Sequence, residues 1–385
     1  MRRFCSIFNQ LLQFFSRTEF EAAVQRTGAE HSAKGFRSWD HFIAMLFCQL
    51  ADAQSLREIC GGLSSCQGRM VHLGGKVPSK STLSYANAHR PWELFREVFH
   101  RLLQQCQAER GPKTKFRFPN KLLSIDATTI GLSIKAYPWA QYNRKKGAIK
   151  LHFTLEHEGY LPTHLVITTN KYSDLSVARR QRWPKGTIVV FDRGYISFQW
   201  FATLQRQGVF FVTRTKRRAA YRVVEQRTIS EAGVNGDAVV ELTFVHSRRY
   251  YPDRLRVIDF TTTEGESFQF LTNNFTLSAA TIADIYKDRW QIESFFKLLK
   301  QNLRVKSFVG NSINSVWTQI WTALIAMLLI KYLKLKARFG WSLSNLVYFL
   351  RMNLLVYRDL WEWIHDPLHP PPEPTDSHQL SFHYV

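Results

Sequence analysis

A chain of 385 residues, 45% hydrophobic and 14% aromatic, has the length for two or three domains and the apolar content for packed, globular structure. Its 52 Lys and Arg against 30 Asp and Glu leave a net charge of +22, a field that draws in polyanions and loses its hold as salt rises. That balance points to nucleic acid, with a ribosomal-type RNA binder or a membrane-surface protein as the alternatives.

The start, MRRFCSIFNQLLQFF, is basic and then apolar, but Asn9, Gln10 and Gln13 interrupt it and no small-residue cleavage site follows, against a signal peptide. Residues 1 to about 118 are expected to be mostly helical. Phe36, Trp39, Phe42, Ile43, Leu46, Phe47 and Leu50 recur at three- and four-residue spacing and make one apolar helical face. Ser55-Leu-Arg-Glu58 is a capping-box pattern, glycines at 61, 62, 68, 74 and 75 mark turns, and Ser79 to Thr82 open a further helix towards His89 and Arg90. Two short helices around a Gly-containing turn resemble a helix-turn-helix that could read DNA, although any small helical bundle has the same spacing. The five cysteines (Cys5, Cys48, Cys60, Cys66, Cys106) are odd in number and lack zinc-ligand spacing, so they read as reduced thiols of a cytosolic protein.

Arg110-Gly-Pro-Lys-Thr-Lys-Phe-Arg is expected to be a linker, and beyond it the period changes. Residues 122–130, 149–156, 161–169, 187–191 and 209–213 read as strands, with helices near 173–181 and 197–207 between them. Such alternation predicts an α/β layered domain. Strand-like pieces at 238–245, 255–262 and 267–271 suggest an all-β insertion covering about 215–275. Ser278 caps a predicted long helix to about Leu303, and a second helix covers roughly 315–337. The apolar run Ala323–Ile330 is eight residues long, short of the ~20 that cross a bilayer, so it predicts a buried helix and no membrane. A tail after Asp366 holds five prolines and is expected to be disordered. The expected division is 1–118 helical, 119–310 catalytic, 311–365 helical and 366–385 tail.

Phosphodiester cleavage without a covalent intermediate needs an activated water and a stabilised leaving oxygen, and two divalent ions held by clustered carboxylates can supply both. Asp126 follows the apolar run Leu-Leu-Ser-Ile, and Asp192 ends Thr-Ile-Val-Val-Phe before Arg193. A buried aspartate costs several kcal/mol unless paired or metal-bound, roughly. An Asp at a strand-to-turn junction is the plainer reading of each. In YKDRWQIESFFKLLK, Tyr286, Arg289, Glu293 and Lys300 stand at offsets 0, 3, 7 and 14, which one continuous helix places within about 60°, with Lys297 extending the stripe. One acid among cations suits a metal beside a phosphate, while Arg289–Glu293 and Glu293–Lys297 as solvated i,i+4 pairs are the alternative.

Taken together, Asp126 in its strand, the VVFDRGY run around Asp192 and Tyr-x2-Arg-x3-Glu-x6-Lys at 286–300 resemble the IS-four family of bacterial insertion-sequence transposases. FVTRTK at 211–216, FLTNNF at 270–275 and KQNLRVKSFVG at 300–310 extend the likeness over most of 120–335. The resemblance implies an RNase H-like fold with a DDE triad: Asp126, Asp192 and Glu293 as catalytic residues and ligands of two Mg2+ (or Mn2+). Tyr286, Arg289 and Lys300 are then implied on the DNA backbone, with Lys297 and Arg193 as further DNA-binding candidates. The implied reaction is metal-dependent hydrolysis at terminal inverted repeats of double-stranded DNA and strand transfer into target DNA, by a homodimer in a synaptic complex in the bacterial cytoplasm with the nucleoid. Some family members stack a flipped base on a tryptophan in the β insertion; this chain has none between Trp200 and Trp290, leaving Tyr250, Tyr251 or Phe268 as substitutes. Basic clusters at Arg144–Lys146, Arg179–Arg182, Lys216–Arg218 and Arg248–Arg249 could track the backbone or be solvated loops. Two other readings stand beside a transposase: a DNA-binding protein on an inactive scaffold, and a stand-alone nuclease.

Overall fold

The computed structural model describes residues 5–31, 33, 35–65, 73–108, 115–215, 220–302 and 308–368. Its helices, in chain order, begin with α1 (Ile7–Leu12), α2 (Arg17–Thr27), α3 (Ser38–Leu50), α4 (Leu56–Ser65), α5 (Lys80–His89) and α6 (Glu93–Ala108). Strands β1 (Leu122–Leu132), β2 (Gln141–Asn143), β3 (Lys146–Glu156) and β4 (Leu161–Thr169) follow, then α7 (Asp174–Ala178), β5 (Ile188–Val190), α8 (Phe198–Arg206) and β6 (Phe210–Arg214). Next come β7 (Tyr221–Gln226), β8 (Val234–Leu242), α9 (Val245–Tyr250), β9 (Leu255–Thr261) and β10 (Ser267–Thr272). The chain closes with α10 (Ala279–Asp288), α11 (Trp290–Asn302), α12 (Ile313–Lys336), α13 (Leu343–Asn353) and α14 (Leu360–His365). The result is a mixed α/β architecture in two compact units, residues 1–106 with 298–385, and residues 107–297.

The first unit joins both ends of the chain, which the expected division had kept apart as an N-terminal domain and a C-terminal region. Its centre is α12, which packs on α3, α5 and α13. All thirteen residues of α3 are buried, so it is a core helix and its apolar residues are not one face of an amphipathic one. Several of the polar groups this encloses are paired: His41 Nε2 and Asn87 Oδ1 are 2.6 Å apart, and Asp40 accepts from the N–H groups of Arg37 and Lys76. The apolar stretch of α12 is longer than the run Ala323–Ile330 alone, and by length and hydropathy it could cross a membrane. Its surface is instead buried within the unit, including Thr318, Gln319 and Thr322. Main-chain bonds from Ile7 and Phe8 to the carbonyls of Val356 and Leu354 tie the first helix to the last ones. The expected caps form: Ser55 Oγ accepts from Glu58 N–H and Ser79 Oγ from Thr82 N–H. Cys66, the 109–114 part of the linker, Lys216–Arg218 and the tail from 369 lie outside the described residues.

The second unit is built on one ten-stranded sheet of order β2-β3-β1-β5-β6-β10-β9-β8-β7, with β4 beside β3. β1, β3 and β4 pair antiparallel, β1, β5 and β6 parallel, and the remaining strands antiparallel. The expected insertion therefore extends the same sheet, and it is not all-β, because Val245, read as the end of a strand, opens α9. Alternation along the central strands divides the core. Ile125, Val189, Phe191 and Phe211 pack with Trp200 and Phe201 of α8, whereas Leu122, Ile188, Val190 and Val212 pack with Ile282, Ile285 and Tyr286 of α10. Each large apolar side chain so buried contributes about 1.5–3 kcal/mol, which fixes the faces of the sheet and with them what points where.

Candidate active site

The parallel pairing of β1 with β5 matches Leu122 to Ile188 and Ser124 to Val190. Two residues further on, Asp126 continues β1 and Asp192 follows just past the end of β5, close enough for their charges to interact. Such a placement puts one acid on rigid backbone with a second beside it. Asp126 Oδ1 accepts from the N–H of Ala127 at 2.8 Å, and Asp192 Oδ1 accepts from the N–H of Arg193, the first residue of a 3-10 turn, Arg193–Tyr195.

The helical arm arrives differently from the single helix expected. At Arg289 the ladder tightens: Arg289 N–H bonds to Tyr286 C=O and Ile292 N–H to Arg289 C=O, three residues apart instead of four, which separates α10 from α11. The break turns Arg289 inward, where it is 5% exposed. Its Nη1 lies 3.6 Å from Asp126 Oδ2 and its Nη2 2.9 Å from Glu293 Oε1. The guanidinium also stacks over the rings of Tyr286 and Trp290, at 5.4 and 5.6 Å from their centroids.

Charge and burial compete here. Burial pushes the Asp126 carboxyl from an ordinary 3.8 up to about 6; the Ala127 N–H and Arg289 pull against it, and Glu293 and Asp192 add to the rise. Lost hydration lowers the Arg289 guanidinium, but Tyr286, Asp126 and Glu293 outweigh that and hold it above its usual range. Burial likewise raises the Tyr286 phenol, with Arg289 opposing and Asp192 adding. Asp126, Asp192, Tyr286, Arg289 and Glu293 therefore share one electrostatic neighbourhood. Lys297 and Lys300 stand one and two turns beyond Glu293 on α11, Lys297 exposed and Lys300 half-buried. Glu293 pairs with Arg289; among the described residues Lys297 forms no ion pair with it.

Among the described residues no three His, Cys, Asp or Glu side chains stand close enough together to hold an ion. The Arg289 guanidinium fills the gap between Asp126 and Glu293 and supplies their countercharge. In donor type the set fits a hard divalent cation: carboxylate oxygens only, with one oxygen of each aspartate free of backbone bonds. The Tyr195 hydroxyl points the same way. It is buried without a hydrogen-bond partner, and burial first, then Asp126, Asp174 and Asp192, push its phenol far above the usual range.

Two neighbours were not legible from spacing. Tyr195 has its ring packed near Phe191 and Trp200. Arg214 ends β6 two residues after Val212, which pairs with Val190, and its charge reaches Tyr286 of the site. The signal was the family-like FVTR run, but its position depends on a strand register that sequence does not print. Arg214 lies 4.6 Å over the Phe268 ring, and with Arg193, Thr215, Ser267 and Gln269 both line a cleft of about 680 Å³. Of the aromatic substitutes considered, Tyr251 is a core residue with 1% exposure and unable to stack on a base. Tyr250 is exposed on α9, and one face of Phe268 is already covered by Arg214.

Comparison with known proteins agrees with this chemistry. A family model described as "Transposase DDE domain" matches residues 117–329, and one described as a domain of unknown function matches 5–76. The chain is 33% identical to the "Putative transposase y4zB" of Sinorhizobium fredii, over 80% of this chain and 87% of that one. It is 29% identical to the "Probable transposase for insertion sequence element IS5377" of Geobacillus stearothermophilus, over 66% and 67%. A solved piggyBac transposase synaptic complex with hairpin DNA shares 10% identity at a TM-score of 0.44, covering 94% of this chain and 81% of that one, too distant to bear on the fold. The chain is a DNA-cleaving enzyme that depends on divalent metal, and it belongs to the DDE transposases of insertion sequences.

Proposed function

We propose that Asp126, Asp192 and Glu293 are the reacting carboxylates of an RNase H-like catalytic unit that cuts double-stranded DNA at terminal inverted repeats and joins it to target DNA. The observation that carries this reading is that Asp126, two residues past the β1–β5 pairing, shares its charge neighbourhood with Asp192, just beyond β5, and is joined to Glu293 through Arg289. An antiparallel trio followed by two parallel strands, helix-covered on both faces, supports the RNase H-like reading.

Two Mg2+ (or Mn2+) ions, when bound, supply charge neutralisation at the scissile phosphate and a water acidic enough to attack it. The chain's own residues do the rest. Asp126 on its rigid strand, Asp192 just beyond β5 and Glu293 would hold the ions, and the Arg289 guanidinium would pass from Glu293 to a phosphate oxygen. Arg289 is suited to that exchange, because a phosphate offers the same bidentate acceptor geometry as a carboxylate. Tyr286, Lys297, Lys300 and Arg193 then hold neighbouring stretches of DNA backbone. Cut-and-paste transposition by a homodimer in a synaptic complex, in the bacterial cytoplasm alongside the nucleoid, completes the reading.

The test is an assay with end-containing labelled duplex and Mg2+. Alanine at Asp126, Asp192 or Glu293 is expected to abolish nicking and joining while leaving duplex binding largely intact. Full activity in any one of them removes that residue from the site. Wild type that nicks without joining would be a stand-alone nuclease, and wild type that binds without nicking an inactive scaffold.

A further inference from the structure

A buried chain of hydrogen bonds links the strand bearing Asp126 to the helix break bearing Arg289. Ser124, two residues before Asp126 on the same side of β1, has its Oγ 2.7 Å from His157 Nε2. His157 Nδ1 is 2.6 Å from Asp288 Oδ2, and Asp288 is the last residue of α10, immediately before Arg289. The other oxygen, Asp288 Oδ1, accepts from Lys115 Nζ at 2.6 Å and Tyr160 OH at 3.1 Å. Ser124, His157 and Asp288 are 0%, 8% and 3% exposed.

The order Ser–His–Asp is that of a nucleophilic triad. Here Ser124 has no exposed surface and sits in a strand paired on both sides, with β3 and with β5, so no substrate atom can approach it. Its chemistry is mechanical. Against the cost of burial, His157 and Lys115 hold the Asp288 carboxyl below its usual range, so it stays ionised and accepts the His157 Nδ1–H. On the far side of the ring, Nε2 shares a hydrogen bond with the Ser124 hydroxyl. Each group thus has its partner, and the three join parts of the chain more than a hundred residues apart.

We propose that Ser124, His157 and Asp288 form a positioning relay, which holds the Asp126 strand and the Arg289–Glu293 helix in the placement that cleavage requires. The proposal rests on the reading of Asp126, Asp192 and Glu293 as the reacting centre. Asp288, gripped by three donors, fixes the rotation and axial setting of the chain where the helix tightens, one residue before Arg289 and five before Glu293. Released, that junction can relax towards a continuous helix and shift Glu293 away from Asp126 and Asp192.

Ser124→Ala, His157→Gln and Asp288→Asn test this with little change in volume. In single-turnover cleavage of end-containing duplex at saturating protein and Mg2+, each is expected to lower the rate constant roughly tenfold or more, with duplex affinity kept within about twofold. Because the three act as one unit, the Ser124→Ala/Asp288→Asn double variant should lose no more than the worse single variant. A merely structural role would lower the melting temperature and leave the rate constant of the folded protein unchanged. Rate constants within about twofold of wild type, or losses that multiply in the double variant, would overturn the relay. Should Asp288→Asn fail to fold, the other two variants decide the matter on the same readout. Glu293→Gln separates the two levels: if it still cuts, the reading of the centre itself is wrong. If it is dead and the relay variants cut normally, only the relay is wrong.

Discussion

Asp126 is held where its charge is uncomfortable, and that gives a prediction at the scale of one residue. Its carboxyl titrates near 6 in the folded chain against an ordinary 3.8, chiefly through burial. A raised acid favours the folded state while protonated, so its contribution is complete below about pH 4 and is lost as pH rises through about 6. A shift of this size corresponds to a few kcal/mol, on the order of 3. In EDTA, Asp126→Asn should therefore be more stable than wild type at neutral pH by about 1–3 kcal/mol, with loss of the Arg289 ion pair offsetting part of the gain. The gap should close towards about pH 4, as urea unfolding across that range would report. Equal stability at neutral pH would mean that the carboxylate is well solvated. The acids at the site were visible in sequence because a charge that ends an apolar run has to be accounted for. Ser124, His157 and Tyr195 were not, since a serine in a strand or a histidine in a turn is ordinary until strand pairing and the helix break bring it to a partner.

Elements were legible where periodicity and caps act locally. Residues 161–169 form the strand expected there, and Ser173, Ser197 and Ser278 each cap the helix that follows. Tertiary context decided the others. The helix read as continuous from 278 is broken at Arg289, because buried groups at both Asp288 and Arg289 are held from outside the helix. Tyr221–Gln226 pairs as a strand although most of it is exposed, so it lacks the alternation that marks a half-buried strand. The strands of the expected insertion join the main sheet through the β6–β10 pairing, and a buried ion pair locks them to the start of α10. Arg256 donates through Nε and Nη2 to the two oxygens of Asp237 at 2.8 and 2.7 Å, and through Nη1 to the carbonyls of Asn274 and Leu277. Removing one partner strands a desolvated charge. Arg256→Ala is expected to cost about 3–5 kcal/mol, whereas Arg256→Met with Asp237→Leu should cost clearly less. Denaturant midpoints for the two variants check this, and equal losses would mean that the hydrogen bonds to the loop carbonyls dominate.

At the scale of the whole molecule, the two ends of the chain fold together, which no local pattern announces. α3 and α12 are each buried nearly all round and pack on one another, so neither has a complete core without its partner. A fragment ending at residue 106 is expected to show little cooperative unfolding by circular dichroism. A sharp melt would show that the first six helices are self-sufficient. Charge is the other property of the whole. Exposed cations occur at Arg144–Lys146, at Arg179, Arg180 and Arg182, and at Arg248 and Arg249, and most have no carboxylate beside them among the described residues. If these track a DNA backbone, each neutralised phosphate releases counterions, and affinity for end-containing duplex should fall about 10³–10⁵-fold between roughly 50 and 200 mM salt, as six to ten such phosphates require. Replacing Arg179 and Arg180 by serine should flatten the dependence of log affinity on log salt by about one unit for each phosphate no longer neutralised, whatever the sequence of the duplex. Asp126→Ala should leave that slope unchanged, because it removes a carboxylate of the site and no cation. A slope for wild type shallower than about three would mean that the net charge of +22 is mostly solvated surface, with only a few cations touching DNA.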